Sequence, residues 1–316
     1  MRRVRSELRS GRVSRVKLSI IITNHDWATP HLAEIDATAL HGLYVADHPS
    51  FPVTDSWSWL AYAAGQTARI RLGTHVTGAP FHHPTRLAKQ VATVDVLSNG
   101  RALLGLGTAY EHQDFAPFGF AMPDFQGRVA YLEETLRLVR QLFSGEIDGF
   151  AGRFHRYEGK AEFAPRPVQG AVPIWIGLNK PGAVMRVAAR HADAINTWQL
   201  SAAQVAQLRA PLADAVGEAG RAQGAVAVTC DLVLARGADQ RTAEQIAHRI
   251  RDMARGWGRK PSVTDWDAGG VLRGDGDAMC EQLERFAEVG CSEVTVAVAS
   301  IEDVRWLHEH VATRVR

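Results

Sequence analysis

Between residues 16 and 314, strand-like and helix-like runs alternate through the whole chain, and that alternation permits very few folds. Apolar, β-rich runs fall at 16–22, 43–46, 70–74, 102–107, 173–177, 194–197, 225–234 and 293–298. Segments with helical apolar spacing follow them, at 30–41, 56–68, 85–97, 125–143, 182–191, 203–218, 243–257 and 301–314, with one more at 277–289. Parallel strands require crossovers of this kind. Eight strands, each with its helix and with no hairpins left over, predict a closed (β/α)8 TIM barrel rather than an open doubly wound sheet. The open sheet is further disfavoured because no GxGxxG follows the first strand, and Gly105-Leu106-Gly107 is too short to count as one. Irregular, Gly- and Pro-punctuated stretches at 108–123, 144–172 and 260–275 read as insertions after strand four, before strand five and after strand seven.

A chain of 316 residues with 46% hydrophobic content can bury one large core, so 16–316 is expected to be a single domain. Residues 1–15 carry Arg2, Arg3, Arg5, Arg9, Arg12 and Arg15 and no apolar h-region, which reads as a flexible basic extension and not a secretory signal. Elsewhere 36 Lys and Arg nearly balance 34 Asp and Glu, so nothing asks for nucleic acid. No apolar run approaches the length of a membrane span, and a cytoplasmic protein is expected. Cys230, Cys280 and Cys291 fit no disulfide framework or zinc knuckle and are expected to be plain thiols.

In a barrel of this type the active site lies at the C-terminal ends of the strands. Residues there include Thr23 to Trp27 after strand one, Asp47 and His48 after strand two, and Thr74, His75 and Thr77 after strand three. Gly107, Thr108, Tyr110, Glu111 and His112 follow strand four, and Gly177, Asn179 and Lys180 follow strand five. Apolar walls with a few titratable imidazoles suit a large planar ligand. The turn at 177–180 either offers backbone N–H groups to a phosphate or is an ordinary strand-to-helix connection. Asp47 is either a catalyst or a buried anchor for the rim, and His82 and His83 are read as shaping a turn before Pro84. Glu111 is a proton donor or a surface ion pair. No HExxH or clustered Cys and His supports a metal, and no GxSxG supports a serine hydrolase. Glu293, at the start of strand eight, would lie at the far, stability end of the barrel. His308 and His310, on the last helix, are expected to be solvated.

Several runs resemble the bacterial-luciferase-like monooxygenases. They are Leu43-Tyr44-Val45-Ala46-Asp47-His48, Ile70-Arg71-Leu72-Gly73-Thr74, Val76-Thr77-Gly78, and His83-Pro84 with Leu87-Ala88-Lys89. The likeness continues in Ala92-Thr93-Val94-Asp95, Ser98-Asn99-Gly100-Arg101, Leu104-Gly105-Leu106-Gly107 and Pro173-Ile174-Trp175-Ile176-Gly177. It runs over residues 16–315 and implies a barrel that is often dimeric and binds either the deazaflavin F420 or FMN at its mouth. The loop with Phe115, Phe118, Gly119 and Phe120 is similar to the F420-dependent branch, which implies hydride transfer between F420 and a small organic substrate. The alternative is an FMN-dependent, O2-using monooxygenase fed by a separate flavin reductase, or a member that binds cofactor without turnover.

Carried over residue by residue, the resemblance implies that Thr74, His75, Val76 and Thr77 line the cofactor ring, with a non-prolyl cis peptide often found there. Gly107, Thr108, Tyr110 and Glu111 face the ring or the reacting side. Gly177, Leu178 and Asn179 match the phosphate turn. His25 and Trp27 lie where substrate- or ring-facing groups stand, and His25, His48 and Glu111 are the candidate proton donors. The chain departs from the family pattern at Leu178, where a second Gly is common, and at Ala109 and Tyr110, where Gly and Trp are usual. It also has Ala194-Ile195 in place of Gly-Trp.

Overall fold

A computed structural model describes residues 16–110, 112–145, 149–159, 162–236 and 270–315. Eight parallel strands close on themselves: β1 (Lys17–Ile22), β2 (Gly42–Asp47), β3 (Arg71–Gly78), β4 (Ala102–Gly107), β7 (Ile174–Gly177), β8 (Ala194–Trp198), β9 (Ala227–Arg236) and β11 (Cys291–Ala297). The ring is completed by β11 pairing with β1 and β8 pairing with β9. Helices α1 (Leu32–Ala37), α2 (Ser56–Gln66), α3 (Pro84–Leu97), α4 (Phe125–Ser144), α5 (Ala183–His191), α6 (Ala202–Glu218), α7 (Gly276–Glu288) and α8 (Ile301–Leu307) belong to the outer layer. The predicted helix at 243–257 and the basic segment 1–15 lie outside the described residues.

Local chemistry sets the helix ends. Asp55, Asp124, Ser201, Asp275 and Ser300 each accept a backbone N–H in the first turn of α2, α4, α6, α7 and α8. At the far end of α4, Gly145 takes the left-handed conformation (φ 74°), which a side chain would disfavour. Outward-facing strand residues such as Leu18, Ile20, Ile22, Leu43, Val45 and Leu72 pack with the helices in one continuous core.

A smaller cluster of Ile21, Tyr44, Leu103, Trp175 and Ala194, with Ala227 and Ala297 against it, fills the barrel itself. Strand residues two apart share a face. The same interior face therefore carries Ser19, Asn196, Thr229, Asp231, Glu293 and Thr295, all buried. Barrel interiors are usually built of Val, Ile and Leu; this one is half polar.

Five departures from the sequence reading have physical reasons. Residues 271–274, expected to be irregular, form β10 (Val271–Gly274), which pairs with the overhanging outer half of β9. The 144–172 insertion contains a small antiparallel pair, β5 (Phe150–Ala151) with β6 (Arg156–Tyr157). The helix expected at 30–41 is cut to α1 because Thr38 turns extended and bonds back to Ile35. The last helix widens to a π turn over His308–Ala312. There His308 is not merely solvated: its Nδ1 accepts the Ala39 N–H at 3.0 Å.

Cys230 and Cys291 are buried and Cys280 half-buried. Burial pushes the Cys230 thiol up to about 12, so it is no nucleophile. No helix among the described residues is long and apolar enough to cross a membrane.

Candidate active site at the barrel mouth

Strand β3 runs four residues further than its apolar pattern suggests, and its end is bulged. Its register shifts between Val45 and Asp47 against β2, and between Gly73 and Thr77 against β4. The His75–Val76 peptide is cis and non-prolyl. Residues 75–78 are therefore strand, not loop, and the side chains of 74–77 diverge. Thr74 donates to the Gly105 carbonyl at 3.0 Å. His75 turns into the barrel, stacked on Tyr44 with centroids 4.1 Å apart. Val76 stays partly exposed, over the glycines that end the next two strands.

In β4 the close approach requires glycine at 105 and 107. A Cβ at Gly105 would stand 2.0 Å from the Thr74 carbonyl oxygen, and one at Gly107 would stand 2.8 Å from a Val76 methyl. At Gly177 the nearest Val76 methyl would be 3.4 Å away, an ordinary contact. Val76, Gly107 and Gly177 thus make a low floor at the mouth, with Val76 as its only side chain.

Around this floor stand the polar groups of the first two loops. Asp47, at the end of β2, accepts from Thr77 Oγ1 at 2.7 Å and bonds His82 Nε2 at 3.0 Å. Trp57 Nε1, on α2, donates to the same Thr77 oxygen at 3.2 Å. Burial pushes the Asp47 carboxyl up, but the His82 and Thr77 bonds outweigh it and hold it below its ordinary value. Asp47 thereby ties the end of β2 to β3 and to His82, whose side chain bonds here as well as shaping the turn.

His25 is buried, stacked on Trp59 at 4.8 Å, with Nδ1 bonded to Thr54 Oγ1 at 3.0 Å. Its Nε2 has no protein partner. Burial lowers its pKa, against the opposing pull of Asp26, Asp47 and Asp55, so the ring is neutral at neutral pH. His48 donates from Nδ1 to Asp114 at 2.7 Å and stacks on Phe51. Trp27 is half-buried against the outer core.

The remaining predicted residues divide. Thr108 follows Gly107 at the mouth and Tyr110 is exposed; Glu111 lies outside the described residues. At the β7 end, Leu178 donates its N–H to the Asn196 carbonyl. The Asn179 side chain is engaged by Trp198, accepting its N–H at 2.7 Å and donating to its carbonyl at 2.9 Å. Asn179 is a clamp between two rim loops. Beyond it, α5 begins at Gly182 with no side-chain cap, so its first amides are open to an anion. The His75 side chain, expected to line the ring, lies inside the barrel against Tyr44 and Asp231.

Three groups were missed from the sequence. Thr54 holds His25, Asp114 holds His48 and receives the Ser50 N–H at 3.1 Å, and Asp231 bonds His75 Nδ1 at 3.2 Å. Each reaches its histidine from another loop or strand, so spacing carried no sign of the pair. Among the described residues no group of three or more His, Cys, Asp or Glu could hold a metal ion.

Known proteins share this fold. The F420-dependent glucose-6-phosphate dehydrogenase of Nakamurella multipartita is 37% identical over 169 residues, 52% of this chain and 49% of that protein. The match spans about half the length of that relative. An F420-dependent secondary alcohol dehydrogenase, solved with an F420–acetone adduct, superposes with a TM-score of 0.80 at 16% identity, over 95% of this chain and 99% of that one. The oxygenating constituent of 3,6-diketocamphane monooxygenase from Pseudomonas putida, solved with FMN, gives 0.72 at 17% identity, over 96% and 99%. At such identities the structures speak for the fold alone. The family model for luciferase-like monooxygenases, however, matches residues 28–294, from the first mouth loop into the last barrel strand, and the chain therefore belongs to that family.

Proposed function

We propose that this protein is an F420-dependent oxidoreductase that moves a hydride between the deazaflavin and a small organic substrate at the barrel mouth. Its F420-dependent relatives support the choice of cofactor. The residues present fit a flat ring carrying an anionic arm. Val76 over Gly107 and Gly177 offers a level, apolar floor, and the uncapped start of α5 offers amides for a phosphate. The bound deazaflavin would supply the hydride-carrying carbon; the protein binds, orients and keeps water out.

The observation that carries the reading is His25. It is buried, clamped by Thr54 and Trp59, kept neutral by burial, and has one ring nitrogen unpartnered. A neutral imidazole so held can take a proton from a substrate hydroxyl or return one to a carbonyl. His48, oriented by Asp114, is a second proton-holding group, and Trp27, Thr108 and Tyr110 furnish wall. Glu111 is a further proton-donor candidate on the resemblance alone: Glu111→Gln is expected to lower turnover more than cofactor affinity, and equal loss in both would sink that role.

Parallel titrations of the purified protein with F420 and FMN test the cofactor. Saturable binding of F420 with FMN at least about a hundredfold weaker, a gap of about 2.7 kcal/mol, is expected. Tight FMN binding without F420 binding would overturn the reading in favour of the oxygen-using monooxygenase. Glucose 6-phosphate and secondary alcohols are the first substrates to assay.

A further inference from the structure

In barrel order β3 is the third strand and β9 the seventh of eight, so they face each other across the full diameter. One polar contact crosses that gap. Asp231 Oδ1, on β9, bonds His75 Nδ1, on β3, at 3.2 Å. Both side chains are buried, with His75 fully enclosed. A carboxylate can only accept, so the shared proton sits on the ring. The second carboxylate oxygen takes the Asn196 amide at 2.8 Å, and Asn196 in turn accepts from Thr229 at 2.7 Å. Tyr44 stacks on the His75 ring and Trp175 tilts against it at 5.1 Å. Asp231 pairs in register with Trp198, the last residue of β8, so the tie lies at the level where the barrel opens into the mouth.

Burying a carboxylate in a barrel is costly unless it is fully bonded, and an apolar filler would serve stability as well or better. The expense therefore calls for a positional reason. His75 is the residue next to Val76, and Val76 is the only side chain of the mouth floor. We propose that Asp231 is a positioning residue for the cofactor, acting through His75 to set the height and tilt of Val76 beneath the ring. The inference rests on the cofactor site proposed above. It predicts that Asp231 matters to the bound ring through its bond to His75.

The test compares Asp231→Asn, His75→Phe, the double variant, and Thr295→Val as a control. Thr295 pairs in register with Asp231 on the same interior face, but its hydroxyl bonds nothing in the protein. The readouts are F420 affinity by titration without substrate, the absorption maximum of bound F420, and thermal midpoint. Asp231→Asn and His75→Phe should each weaken F420 about tenfold and shift its absorption maximum alike. The double variant should be no worse than either single one, because both cut the same link. Thr295→Val should leave affinity and spectrum unchanged. Asn-variant affinity within twofold of the parent, an unmoved spectrum, or additive losses would overturn the proposal. If Asp231→Asn does not fold, His75→Phe carries the same expectation, since it keeps the stack on Tyr44. A parent that binds no F420 refutes the cofactor reading and this inference together; a binding parent with unaffected variants refutes this inference alone.

Discussion

Three glycines under Val76 lend themselves to a graded experiment, because the space left for a methyl group differs at each. At Gly105 the added Cβ would meet a backbone oxygen, Thr74 O, at 2.0 Å. Backbone in a paired strand cannot retreat by more than an ångström, so Gly105→Ala is expected to cost more than about 4 kcal/mol or to prevent folding. At Gly107 the obstacle is a side-chain methyl of Val76 at 2.8 Å. That methyl can yield by a shift or an off-rotamer turn, and overpacking of this kind costs about 1–3 kcal/mol. At Gly177 the contact is 3.4 Å and needs no adjustment, so Gly177→Ala should stay within about 0.5 kcal/mol. Gly65, in α2 with nothing within 4 Å, is the opposite control: alanine there should stabilise by about 0.5–1 kcal/mol through helix propensity. Urea unfolding of the four variants gives the order directly. Because Gly107→Ala moves the floor, it should also weaken F420 binding, whereas Gly65→Ala should not. Equal stability of the Gly105 and Gly177 variants would refute the reasoning, since it would mean that the bulge of β3 does not press on β4.

Four further perturbations address charge, a hydrogen-bond hub and the reacting group. His41, at the lower end of the barrel, has its pKa lowered to about 4 by burial, then by Lys17, Arg71 and Arg69. The unfolded chain therefore takes up this proton first, and stability should fall as pH drops from about 6.5 toward 4. With the side chain 31% exposed, the loss should be roughly 1–2 kcal/mol, and His41→Gln should remove it from the pH profile of urea unfolding. Glu293 acts in the opposite sense: burial raises its pKa, so acid favours the folded state there, and Glu293→Gln isolates that contribution. The Arg101 guanidinium donates to the carbonyls of Ala64, Thr67, Ile70 and Ser98 and to the Thr67 hydroxyl, tying the end of α2 to the starts of β3 and β4. Lysine can replace at most three of these bonds, so Arg101→Lys should cost about 2–3 kcal/mol in unfolding experiments. His25→Phe keeps the stack on Trp59 and removes both nitrogens; turnover should fall about 100-fold or more with little change in thermal midpoint, and retained turnover would remove His25 from the mechanism.

The limits of the sequence reading follow from how each feature is encoded. Parallel strands buried on both faces are unbroken apolar runs, and so residues 43–46 and 102–107 stood out at once. Strand β10 did not, because Val271-Leu272-Arg273-Gly274 is four residues long and becomes a strand only by lying on the overhang of β9. In β3 the run His75-Val76-Thr77-Gly78 lost its apolar pattern and read as loop, yet it continues the strand. The polarity there reports three surroundings at once: His75 bonds into the barrel, Thr77 bonds Asp47 at the rim, and Val76 forms the floor. The barrel's polar interior did leave a signal in the sequence. Thr229 and Asp231 on β9, and Glu293 and Thr295 on β11, stand two apart in runs where every other residue is apolar. A strand covered on both sides has no solvent face on which to put them, so such an alternation can only mean partners inside the barrel. What the alternation cannot give is the partner's identity. Asp231 and His75 are 156 residues apart, and only closure of the barrel, which sets β9 opposite β3, brings them into one contact.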